Sequence, residues 1–154
     1  MMLKSRNKWW ILFVTTTATS LFLLDTTILP VALPAIEKSL GFSSIGVMWV
    51  INAYLLTLTA FLLIGGKLCE VLGFRCAFNI GLSFFGAGAL IGALSSTAPV
   101  LLLARIIQGV GAALAFPATA ALLIATFPPQ QRARALGIDT GIASLLMIVG
   151  PILG

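Results

Sequence analysis

Two charged residues stand inside long apolar stretches of this chain, Asp25 and Arg105. Each is expensive in a hydrocarbon layer, at roughly 2.5–3.5 kcal/mol on insertion scales, and chains that keep such residues generally use them on a path for protons, ions or solutes. A carboxylate takes up and releases a proton, whereas a guanidinium stays charged and offers five N–H donors in a fixed fork. Their depths agree. Asp25 lies about 15 residues into its apolar stretch, roughly 22 Å from that end at about 1.5 Å per residue. Arg105 lies about six residues into a stretch that enters from the opposite side, which puts it about 21 Å up a core roughly 30 Å thick. An Asp25–Arg105 pair is therefore geometrically allowed. The plainer alternative is a salt bridge that only locks two helices, but apolar packing serves that end as well, since a buried ion pair rarely gains net stability.

Five apolar segments must position these side chains, at residues 9–31, 47–64, 76–94, 100–124 and 135–154. A membrane helix needs about 20 mostly apolar residues, which each segment meets or approaches. The expected fold class is thus an all-α membrane protein with about five transmembrane helices. Trp9 and Trp10 open segment one, where interfacial aromatics sit. Pro30 and Pro34 are expected to end that segment, residues 65–75 to form a loop, and Ser95 to Pro99 an uncharged turn. The basic start of the chain followed by an apolar run resembles a signal peptide, but the run exceeds the about 7–15 residues of a signal core and further spans follow it.

Hydrophobic residues make up 60% of the chain and charged residues 8%, against about 25% charged in soluble proteins, and a water-soluble fold could not cover so much apolar surface. The net charge of +5 comes from basic residues scattered singly at segment ends, which is not the clustered footprint of a nucleic-acid binder. With no histidine in the chain, the commonest metal ligand and general base is absent, and neither a metal site nor a cofactor is implied. Cys69 and Cys76 are expected as free thiols. Lys4, Arg6, Lys8, Lys67, Arg75, Arg132 and Arg134 fall on one side of the layer and Lys38 on the other, so the N-terminus is expected in the cytoplasm. Gly81, Gly86, Gly88, Gly92, Gly109, Gly111, Gly137, Gly141 and Gly150 suit close helix packing in lipid. Asp139, about one turn into segment five, is expected to be stabilised by the helix dipole. An intramembrane protease using Asp25 and Asp139 is excluded, because the two are expected near opposite faces.

Four motifs then coincide with these segments. Leu24-Asp25-Thr26-Thr27-Ile28-Leu29-Pro30-Val31-Ala32-Leu33-Pro34 resembles the first-helix motif L-D-x-T-x-V-N-V-A-L-P of the fourteen-helix drug/proton antiporters of the major facilitator superfamily. The stretch from Gly66 through Glu70 and Gly73 to Arg75 resembles that superfamily's element between helices two and three. Arg105, Gln108, Gly109 and Gly111 fall where its fourth-helix motif has R, Q, G and G. Gly141, Gly150, Pro151 and Gly154 match the antiporter motif of helix five. Pro30 departs from the motif's Asn, Glu70 from its Asp, and Val71 and Phe74 from basic residues.

The resemblance implies a non-enzymatic multidrug-type efflux transporter of the bacterial cytoplasmic membrane, exchanging protons for a small hydrophobic or cationic molecule by alternating access. It implies that Asp25 and Arg105 serve proton coupling and substrate binding, that the helix two–three element gates the cytoplasmic side, and that the helix-five glycines and proline form a bent, close-packed face. Such transporters have about twelve or fourteen spans in two halves with substrate bound between them. The chain is accordingly expected to be part of an N-terminal half that needs a C-terminal part. The competing expectations are a membrane fragment that does not transport, or a transporter of the same superfamily for another small solute.

Overall fold

The computed structural model describes residues 5–40 and 44–153, all but a few of them helical. The helices are α1 (Ser5–Leu40), α2 (Ser44–Leu72), α3 (Phe74–Ala93), α4 (Ala98–Thr126) and α5 (Pro129–Leu153). Four stretches among the described residues are long and apolar enough to cross a membrane: Asn7–Ala32, Met48–Leu72, Phe74–Ala93 and Ala98–Thr126. The fold is an all-α membrane bundle.

Two breaks expected from the sequence are absent. Pro30 and Pro34 lie inside α1, which continues to Leu40. Proline removes one backbone hydrogen bond and bends the axis, but membrane helices tolerate it where neighbours re-satisfy the freed groups. Residues 65–72 belong to α2 rather than to a loop. Gly65 serves packing there: a Cβ at that position would collide with the Ala113 carbonyl of α4. The connection to α3 shrinks to Gly73, whose φ of 82° lies in the left-handed region that glycine adopts without a steric penalty. The Gly73 carbonyl then accepts from Ala77 N–H at 3.0 Å, which starts α3.

Helix α4 is the centre of the bundle. It packs along α3 and α2 and touches α1, while α5 lies mainly against α1. Small residues allow this. A Cβ on Gly81 would sit 2.7 Å from the Gly111 carbonyl oxygen, and one on Gly88 would sit 2.9 Å from the Ala104 carbonyl oxygen. The core around this seam holds Phe22, Tyr54, Phe78, Phe85, Ala112, Ala115, Ala118 and Leu122. Phe22 meets Phe85 edge to face at 4.6 Å between ring centroids, a favoured aromatic geometry. Close packing does not extend to every glycine. Gly86, Gly137 and Gly141 have nothing within 4 Å of an added Cβ. Leu63, Leu94 and Ile152 project outward, as side chains do where lipid is the solvent.

Candidate functional site

Arg105 enters the bundle from the second turn of α4, two residues beyond Leu103, which faces outward. Its guanidinium uses several groups at once. Nη1 donates to Asp25 Oδ2 of α1 at 2.7 Å and to Gln108 Oε1 at 2.8 Å, while Nε donates to the Val50 carbonyl of α2 at 3.2 Å. Its face lies 4.7 Å from the centroid of the Tyr54 ring, a cation–π contact. Gln108 Nε2 reaches Asp25 Oδ1 at 3.4 Å. The expected Asp25–Arg105 pair is thus formed, and it ties α1, α2 and α4 together at one level.

Exposure separates the two partners. The Arg105 side chain is 4% exposed and that of Asp25 22%. The cation is fixed among donors and acceptors, whereas the carboxylate keeps an open side. Only the carboxylate can therefore exchange its partner without the bundle opening.

The fourth-helix glycines have a structural reason. A Cβ on Gly109 would sit 2.8 Å from the Tyr54 carbonyl oxygen, and one on Gly111 would sit 2.6 Å from the Gly81 carbonyl oxygen. Gly109 admits α2 and so holds Tyr54 over the guanidinium; Gly111 admits α3. Arg105 and Gln108 sit one helical turn apart and share a face.

The remaining expected residues are not gathered at this centre. Glu70 pairs with Lys67 at 3.3 Å on an exposed turn of α2, not with Arg75. Gly66 has open space around it. Arg75 borders a cavity of about 190 Å³ with Trp10, Thr15, Phe78 and Asn79. In α5, Gly141 meets nothing within this chain, so the close-packed face expected of that helix is not built from contacts inside it. Pro151 lies exposed within α5, Gly150 belongs to the same helix, and Gly154 lies outside the described residues. Cys69 is buried and its thiol donates to the Leu114 carbonyl at 3.4 Å, while Cys76 is free and exposed. Asp139 is not in a first helical turn, because α5 opens at Pro129. The favourable field of a helix N-terminus falls off within that turn, so the dipole does not explain the position of Asp139.

Sequence reasoning missed Tyr54, the chain's one tyrosine, and the Val50 carbonyl. A tyrosine in mid-span is a usable signal, since its ring and hydroxyl both seek partners when buried. A backbone carbonyl leaves no trace in sequence.

Comparison with known proteins follows the same lines. The family model described as Major Facilitator Superfamily matches residues 15–154. The chain is 36% identical over 149 residues to the puromycin resistance protein pur8 of Streptomyces alboniger, covering 96% of this chain and 30% of the relative. It is 38% identical over 139 residues to the cephamycin export protein CmcT of Amycolatopsis lactamdurans, covering 90% and 29%. It is 37% identical over 131 residues to the tetracenomycin C resistance and export protein of Streptomyces glaucescens, covering 85% and 24%. The chain therefore spans less than a third of the length of these relatives.

Proposed function

Because the chain belongs to the Major Facilitator Superfamily, we propose that it forms part of a proton-coupled exporter of small hydrophobic or cationic molecules. The relatives named for antibiotic resistance and export support a small-molecule cargo. The observation that carries the coupling is the ion pair at 2.7 Å between a buried Arg105 and a partly open Asp25 inside an apolar bundle.

Asp25 is the proton carrier. When ionised, it is held by Arg105 Nη1 and steadied by Gln108. A proton arriving on its open side removes the charge that holds the pair and frees the guanidinium from α1. The link between α1 and α4 then weakens, while Arg105 stays on α2 through the Val50 carbonyl and Tyr54. A ligand alters an equilibrium only through differential contact with the two states, and this change in pairing supplies such a difference. Transport follows from alternating access, with the substrate held between this chain and a further set of helices.

The lesser assignments belong to the same proposal. Helix α5 is a fifth span, the N-terminus is cytoplasmic, and the membrane is the bacterial inner membrane. Gly66, Glu70, Gly73 and Arg75 gate the cytoplasmic side. The motif of Gly141, Gly150, Pro151 and Gly154 serves close packing against helices outside this chain. The direct test is substrate exchange driven by an imposed pH gradient in vesicles holding the transporter that contains this chain. Asp25→Asn abolishes it and Asp25→Glu keeps part of it. Unchanged exchange in Asp25→Asn removes Asp25 from the coupling.

A further inference from the structure

Asp139 presents a second carboxylate inside the bundle, a buried one, on α5 where that helix packs against α1. It is 4% exposed and lies on an i, i+4 stripe of α5 with Ala135 and Ala143, both buried. That stripe faces Thr16 and Thr19 of α1. Ser20, one turn beyond Thr16, is buried on the same part of α1. Asp139 Oδ1, Thr16 Oγ1 and Ser20 Oγ are each sealed without a hydrogen-bond partner. Such orphans are rare in native interiors, and each calls for an explanation.

Among the described residues, no cation is paired with the carboxylate. Neither ion pair described, Lys67–Glu70 or Arg105–Asp25, includes Asp139. Besides Asp139, the charged residues on the packed elements are Arg6, Lys8, Asp25, Glu37 and Lys38 on α1, Arg105 on α4, and Arg132 and Arg134 on α5. Lys8 donates to Gln131 Oε1 at 3.1 Å, and Arg132 donates to the Phe127 carbonyl at 3.1 Å. Between them and Asp139 lies an apolar plug of Leu12, Leu123, Phe127 and Ala135. An isolated ionised carboxylate in such surroundings neutralises instead of staying charged.

We propose that Asp139, facing the hydroxyls of Thr16 and Thr19, is a proton-binding site separate from the Asp25–Arg105 centre. A bound proton turns one carboxyl oxygen into an O–H donor and leaves the other as an acceptor. The Thr16 and Thr19 hydroxyls are each both donor and acceptor, so the neutral acid can donate to one and accept from the other without a buried charge. A metal cation suits the site less well. Na⁺ sites in membrane transporters draw on unwound backbone carbonyls, whereas α1 and α5 are continuous helices here. The site has an approach from one end: a cavity of about 110 Å³ bordered by Lys8, Gln131 and Arg134 reaches Ala135 and Ile138, within one turn of Asp139.

The test is infrared spectroscopy of the purified, reconstituted transporter at neutral pH, which reads protonation and not transport. The spectrum of the parent protein minus that of Asp139→Asn shows the carbonyl stretch of a protonated acid, and the same band persists in an Asp25→Asn background. Thr16→Val with Thr19→Val shifts its frequency without removing it. Added Na⁺ at constant pH leaves it in place. The proposal is overturned if the difference spectrum lacks the band, if the paired hydroxyl substitutions do not move it, or if Na⁺ removes it. Because no transport is read, failure here leaves the role of Asp25 standing, and failure of Asp25 in transport leaves this site standing.

Discussion

Asp25 Oδ2 and Arg105 Nη1 lie 2.7 Å apart although 80 positions separate them in the sequence. Arg105 is held from three further directions, by Val50, Gln108 and Tyr54, so the pair is an adjustable contact mounted on a fixed cation. Arg105→Ala leaves Asp25 without its partner. A loss of about 3 kcal/mol is expected, the lower end of the range for breaking a buried pair, because Asp25 retains some access to solvent. Arg105→Lys keeps the charge but not the fork or the stacking, and falls between. Thermal unfolding in detergent checks the order, and a lysine variant as stable as the parent contradicts it.

Tyr54 contributes through its ring face. Tyr54→Phe preserves the cation–π contact and is expected to be mild. Tyr54→Leu removes it, with a loss of about 2 kcal/mol for a desolvated contact. Equal destabilisation by the two substitutions, measured side by side, would assign the effect to the hydroxyl instead.

The glycines separate into two classes. Alanine at Gly81, Gly109 or Gly111 forces a Cβ within 3 Å of backbone atoms on a neighbouring helix, an overpacking that typically costs about 1–3 kcal/mol. Alanine at Gly141 meets nothing and gains about 1 kcal/mol of helix propensity. Stability of this chain by itself, without the helices proposed to pack at Gly141, gives three losses and one neutral or favourable change across the four variants. A loss at Gly141 equal to that at Gly109 contradicts the packing described.

Thiol labelling reports packing at the two cysteines of the chain and topology at introduced ones. Cys76 is exposed and Cys69 is buried, so a thiol reagent labels the first and spares the second in the folded protein. With a cytoplasmic N-terminus, an impermeant reagent added to intact cells labels Ser96→Cys in a cysteine-free background and leaves Gln131→Cys untouched. The opposite pattern inverts the orientation.

Long apolar runs made the helical bundle legible in the sequence, and matched depth made the Asp25–Arg105 pair legible before any coordinates. Helix ends were less so. Pro30, Pro34, Gly65 and Gly66 read as breaks, since each breaks helices in water. In the bundle, α1 continues through Pro30 and Pro34, and Gly65 lets α4 approach α2. Asp139 read as a residue of a first turn because the charges at Arg132 and Arg134 suggested a loop. Pro129 opens α5 earlier, at a position where proline fits because the missing N–H has no helical partner. Tyr54 went unassigned because its role depends on a partner one helix away, which spacing within a single segment does not reveal.

The central claim is that Asp25 carries the coupled proton beside Arg105, and exchange driven by a pH gradient across vesicles tests it most directly. The measurement compares the initial rate of uptake of a neutral substrate into inverted vesicles for the parent protein, Asp25→Asn and Asp25→Glu at matched protein amounts. The account predicts no gradient-driven uptake in Asp25→Asn and a partial rate in Asp25→Glu, with both proteins folded. Parent-level uptake by Asp25→Asn contradicts it, since an amide at that position cannot take up and release the proton.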